Sequence, residues 1–214
     1  MASTDPYVEA YRSMREGALY LFIAWIMVGI GLASIILSLL LGGFAFAISA
    51  GPRAGLVGLI GGLIAVIAVI IIGAIVALIG LWGKFLPGVK KLASLNPEFS
   101  TASTLVNLGL FWSIILILVG VVLLIALIGI VFVFAGYILL ILGYVGMLIL
   151  CLKLNDLEKN ALYLVAGILF VLSIFISILG FVAWILLYVA LGESISRRMR
   201  APPTPPAPTT LLPV

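Results

Sequence analysis

Few side chains in this 214-residue chain are fit for chemistry, and their types limit what that chemistry is. There is no histidine and no glutamine, and Cys151 is the only cysteine. Without histidine, the usual haem ligand, the commonest metal ligand and any histidine-based triad are missing. One cysteine holds neither an iron–sulfur cluster nor an internal disulfide. The expectation is therefore a protein that is not an enzyme, with no catalytic residue, no cofactor and no metal site.

Three groups of polar residues remain. Ser34 and Ser38 lie one helical turn apart, and so do Ser173 and Ser177. Each serine can bond the carbonyl one turn back, or donate to a neighbouring helix. Together with Asn107, they could also line a polar path for a small uncharged solute. The second group is Glu98, Asp156, Glu158 and Glu193 with the lysines of loop 83–104, the only set from which a lipid-active enzyme could build an acid–base site. The third is basic. Lys84, Lys90, Lys91, Arg197 and Arg198 flank apolar runs, where they would meet anionic lipid head groups. Cys151, beside Lys153, reads as a small apolar filler rather than a lipidation or redox site.

These groups sit in a chain that is 65% hydrophobic and only 8% charged, with a mean hydropathy of +1.46. A soluble domain carries about 25% charged residues. The composition excludes a soluble globule, a disordered chain and a disulfide scaffold, and points to a polytopic membrane protein. The net charge of +4 orients spans and meets head groups, and is not a nucleic-acid surface.

The charges divide the chain cleanly. None lies between Glu16 and Arg53, Arg53 and Lys84, Glu98 and Lys153, or Lys159 and Glu193. A helix needs about 20 residues to cross a hydrocarbon core of about 30 Å. The first two runs predict one span each, near 18–41 and 55–82. The third predicts two, near 105–127 and 132–152. The fourth is ambiguous: one long tilted helix, or two short ones turning near 177–180. With six spans every Lys and Arg except Arg53 falls on one side, and the positive-inside rule then puts both termini in the cytoplasm of a plasma-membrane protein. With five, the last three arginines change sides. The expected fold is an all-α transmembrane bundle of six spans in three helical hairpins, with five the alternative. No ionisable residue sits in mid-span, which argues against ion-coupled transport.

Residues 1–17 begin with Asp5-Pro6, a helix cap followed by a first-turn proline. Tyr7, Ala10, Tyr11 and Met14 then share one face. The segment is either a separate interfacial amphipathic helix or a plain extension of the first span. The bundle would occupy residues 18–200. The tail 201–214 contains six prolines and reads as extended polyproline II, which only a partner could order. Asn96-Pro97-Glu98 is another helix start. Ala18-Leu19-Tyr20-Leu21 returns as Ala161-Leu162-Tyr163-Leu164, a faint sign of repeated hairpins.

Small residues mark the packing seams. Gly58, Gly62, Ala65, Gly73, Ala77 and Gly80 follow one face of the second span, and Gly136 and Gly143 one face of the fourth. In lipid, close backbone approach holds helices together, within one bundle or between copies.

Three short stretches carry a family likeness. Arg15-Glu16-Gly17-Ala18-Leu19-Tyr20 opens the first span, Ile79-Gly80-Leu81 closes the second, and Leu92 followed by Asn96-Pro97-Glu98-Phe99 leads into the third. The arrangement resembles an archaeal multi-pass membrane family known as domain of unknown function 973, over roughly residues 10–198, with the proline-rich tail as an addition. The resemblance implies a hyperthermophilic archaeal source and no particular activity. The leading expectation is an accessory or scaffolding subunit of a membrane assembly, or a self-associating protein, with membrane lipids and other proteins as partners and no nucleic acid. The alternatives are a facilitator for a small uncharged solute and, third, a lipid-active enzyme.

Overall fold

The structure is a computed structural model that describes residues 5–37, 68–69, 72–73, 75–123 and 128–200. Among these residues it is helical with no strand. Helix α1 spans Pro6–Leu37. A π-helical turn, Ile79–Phe85, leads into α2, Leu86–Leu95. A 3₁₀ turn, Pro97–Phe99, opens α3, Ser100–Val106, and a second π-helical turn, Asn107–Trp112, joins it to α4, Ser113–Leu123. Then come α5, Gly129–Glu158, α6, Ala161–Leu172, and α7, Ser177–Arg200.

Helices start and stop where polar side chains satisfy free backbone groups. Asp5 Oδ1 accepts from the Tyr7 amide at 3.0 Å. Asn96 Oδ1 accepts from the Glu98 amide at 3.0 Å, and Asn160 Oδ1 from that of Leu162 at the same distance. Lys159 closes α5 in the left-handed conformation, φ 50°.

Four helical stretches are long and apolar enough to cross a membrane: Pro6–Gly31, Pro97–Ile117, Gly129–Glu158 and Ser177–Arg200. The second expected span lies mostly outside the described residues, as do the turn at 42–54 and the tail 201–214. The last apolar run resolves into a hairpin. α6 ends at Leu172, the chain turns over residues 173–176, and α7 returns against α6. At 1.5 Å per residue, the 12-residue α6 is only about 18 Å long, well short of a full crossing. The turn satisfies its own backbone: the amides of Ser173, Ile174, Phe175 and Ile176 donate to carbonyls of residues 169–172. A turn at that depth needs this, because lipid offers no partners.

α1 runs without a break from Pro6, so the N-terminal segment is an extension of the first span rather than a separate interfacial helix. Its predicted apolar face points into the protein: Ala10, Tyr11 and Met14 are fully buried. α5 packs on α4 and α6, α6 on α7, and α7 on α1, which in turn meets the first π-turn and α2. The largest buried side chains include Tyr11, Phe85, Phe99, Tyr163 and Phe170. Trp184 joins two of them edge-on, with ring centroids 5.1 Å from Phe85 and 4.9 Å from Phe170. The two copies of Ala-Leu-Tyr-Leu occupy unlike surroundings: Tyr20 is exposed and Tyr163 buried.

The described seam residues pack within the chain. Gly80, in the first π-turn, lies against Gly17 and Tyr20 of α1. Gly109, in the second, lies against Gly143 of α5, and Gly136 meets Ser113 and Ile117 of α4. Gly73 is buried, and Ala77 is half-buried against the core. Gly58, Gly62 and Ala65 lie outside the described residues. A side chain at Gly143 would collide with the α3–α4 backbone. Gly143→Leu is therefore expected to destabilise the detergent-solubilised protein by at least about 1–3 kcal/mol, the usual cost of overpacking. Gly29→Ala is the control, since nothing stands within 4 Å of the new Cβ. Thermal unfolding of both variants checks this, and equal midpoints would refute the close crossing.

Candidate functional site at the charged end

Among the described residues, all the ion pairs gather at one end of the bundle, where odd spans begin and even spans finish. Arg198, near the end of α7, is the centre. Its Nη2 lies 2.6 Å from Glu158 Oε1, its Nε donates to the same oxygen at 2.8 Å, and its Nη1 reaches Asp5 Oδ2 at 3.3 Å. Tyr11 Oη donates to Glu158 Oε1 at 2.8 Å. The guanidinium carbon sits 4.6 Å from the ring centroid of Tyr7 and 5.4 Å from that of Tyr11. Glu158 is 7% exposed and Arg198 24%, so the pair is largely out of water. The connector from α5 to α6 is held by the same helix: Asn160 Nδ2 donates to Glu193 Oε2 at 2.9 Å. Deeper in, the Tyr163 and Ser194 hydroxyls are hydrogen-bonded at 2.8 Å.

The other pairs tie neighbouring elements together. Lys84 meets Glu16 at 2.8 Å, Lys91 meets Glu9 at 2.5 Å, and Lys153 meets Glu98 at 3.9 Å. The bond from Glu16, and its charge, hold the Lys84 pKa above the ordinary lysine value. Ser13 Oγ donates to the Lys84 carbonyl at 2.8 Å, pinning the end of the π-turn to α1. Of the residues expected at lipid head groups, Lys84, Lys91 and Arg198 are thus engaged with carboxylates. Arg197 is 3.6 Å from Glu193 within its own helix, and Lys90 is exposed.

A second basic group lies beside this network. Arg15 Nη2 donates to Tyr188 Oη at 3.2 Å, and its guanidinium stands 4.5 Å from the Tyr188 ring centroid. Arg15, Tyr188, Gly192, Glu193, Arg197 and Arg200 help line a cleft of about 560 Å³. In the sequence Arg15 reads as an orienting charge and as part of the family likeness, and nothing singles out its partner Tyr188. Their positions, on helices at opposite ends of the chain, carry no periodic signal.

The polar residues of the spans are only partly brought together. Ser173 and Ser177 line a pocket of about 160 Å³ with Trp25, Tyr137 and Tyr144. Ser173 Oγ already donates to the Phe170 carbonyl at 2.6 Å, and Ser34 Oγ to that of Ile30 at 2.8 Å. Neither Ser34 nor Asn107 lines that pocket, and Ser38 is outside the described residues. Cys151 is fully buried and packs against Gly167. The carboxylates Glu98, Glu158 and Glu193 go to separate partners.

The sequence model of a family described as "Protein of unknown function (DUF973)" matches residues 7–213. The match runs through the proline-rich tail, so that tail belongs to the family pattern and is not an addition to it. No curated protein and no solved structure matches the chain.

Removing one partner of a buried ion pair strands the other charge and costs about 3–5 kcal/mol. Since Arg198 keeps some contact with water, Glu158→Gln is expected near the lower end, about 3 kcal/mol. Lys91→Ala, at an exposed pair, should cost about 1 kcal/mol or less. Chemical or thermal unfolding in one detergent would rank the two, and the reverse order would show that the Arg198 network does not hold the helices together.

Proposed function

The chain belongs to that family of unknown function, and from this premise we propose that it is a structural, non-catalytic component of a membrane assembly, its charged end facing the cytoplasm. One observation carries the reading. Among the described residues, every ion pair but the one inside α7 joins different elements: Arg198 to Glu158 and Asp5, Lys84 to Glu16, Lys91 to Glu9 and Lys153 to Glu98. The carboxylates in these pairs serve the packing of the bundle and are divided among Arg198, Lys84, Lys91 and Lys153 rather than set around one open centre. The same residues support that orientation, because the described lysines and arginines lie at that end and positive loops tend to stay inside.

An assembly role also suits the rest of the surface. On α5, Val131 and Phe134 are 69% and 68% exposed, a broad apolar ridge for lipid or a neighbouring helix. Native mass spectrometry after gentle detergent extraction from the source membrane tests the proposal. The expected result is a stoichiometric complex, with another subunit or with further copies of this chain. A bare monomer carrying lipid alone would overturn it.

A further inference from the structure

We infer that the Arg15 cleft is a binding site for a phosphate group, carried by an anionic membrane lipid. The cleft is built from two helices. α7 supplies Val189, Gly192, Glu193, Arg197 and Arg200 from one face, and α1 supplies Arg15 opposite. Three guanidiniums thus meet a single carboxylate, and that carboxylate is occupied. Glu193 Oε2 accepts from Asn160 at 2.9 Å and faces Arg197 at 3.6 Å.

Arg15 is oriented but not neutralised. Its one side-chain hydrogen bond is to the neutral Tyr188 hydroxyl, and no carboxylate among the described residues pairs with it. Its Nε is shielded from solvent and has no acceptor. A half-buried guanidinium with no carboxylate partner calls for an anion that offers several oxygens, and phosphate fits that fork geometry. Gly192 lets Arg15 lie close against α7. A Cβ there would stand 3.1 Å from both Cζ and Nε of Arg15. The cavity, about 560 Å³, is large enough for more than a bare phosphate.

The shape separates a lipid from a free ion. Along α7 the cleft runs from Arg200 to Tyr188 and Val189, about 18 Å at 1.5 Å per residue. Arg197 and Arg200 line one end, while at the other Arg15 lies over the Tyr188 ring beside the exposed Val189 of an apolar stretch. A diester phosphate at the arginines would lay its chains along Val189. Inorganic phosphate would use the arginines alone and leave Val189 uncovered.

The test uses the full chain, purified and delipidated in mild detergent, with bound lipid counted by native mass spectrometry. The probes are phosphatidylglycerol, diacylglycerol with the same chains, and inorganic phosphate as competitor. Phosphatidylglycerol should be retained, diacylglycerol should not, and millimolar phosphate should not displace the lipid. Arg15→Gln should weaken retention tenfold or more, and Gly192→Leu, which pushes the Arg15 guanidinium out of place without removing any charge, should do the same. Arg200→Ala, at an exposed site with no packing role, gives a milder loss without risk to the fold. Lys90→Ala should leave retention unchanged. Equal losses for Lys90→Ala and Arg15→Gln would reduce the effect to general surface charge and overturn the site. Retention of diacylglycerol would remove the phosphate, and displacement by inorganic phosphate would remove the lipid. Binding that survives Gly192→Leu would place the lipid elsewhere. None of these outcomes depends on whether the protein is part of an assembly.

Discussion

Moving a charge out of water costs several kcal/mol unless its partners are close and well aligned. Arg198 meets that condition with partners drawn from both ends of the chain. Glu158 takes two of its donors, Asp5 a third, and Tyr7 and Tyr11 cover its faces. Asp5 is the cap of α1, Glu158 lies in the last residues of α5, and Arg198 is in the last turn of α7. The pairing therefore sets three helix ends at one level. It also depends on the turn at 173–176, since a single unbroken helix through the last apolar run would carry Arg198 far from Asp5.

Depth is the second constraint. α6 is too short to cross, so its turn must close its own hydrogen bonds, and it does. Close approach of backbones does the rest of the packing, since lipid removes the hydrophobic drive between helices. Two of the tightest crossings use the glycines of the π-turns, Gly80 on Gly17 and Gly109 on Gly143. Trp82 and Phe111, one from each π-turn, then meet with ring centroids 5.1 Å apart. A π-turn carries one extra residue per turn and rotates the next stretch of helix about its axis, so here it re-aims the side chains beyond a contact point.

The charged end thus divides its work. Paired carboxylates neutralise Lys84, Lys91, Lys153 and Arg198 between helices. Arg15 instead rests on a tyrosine and keeps a donor free. The Arg198 pairing and the Arg15 contact both depend on the C-terminal half of α7, whose last turn is basic and so complements the helix dipole.

Much of this architecture is legible in the residues alone. Charge-free runs set the number and place of most helices, because an ionisable group cannot be left in hydrocarbon. Asp5-Pro6 and Asn96-Pro97-Glu98 mark two helix starts, because capping is local chemistry. Gly136 and Gly143 lie at helix crossings, because only a missing side chain admits a neighbouring backbone. Other features escape a linear reading. The continuity of α1 is one, because an amphipathic face looks the same whether it meets head groups or a protein core. The position of the turn in the last run is another: the residues point to 177–180 and the chain turns at 173–176, because an uncharged run carries no mark of where it turns. The basic residues look alike in sequence, yet Lys84, Lys91, Lys153 and Arg198 are structural ties while Arg15 stays available. That choice is made by distance across the fold: Tyr188 and Gly192 reach Arg15 only once α7 packs on α1. Local patterns determined which segments are helices and which are apolar. Only the tertiary structure decided which charges find partners, because Coulomb energy depends on separation in space and not along the chain.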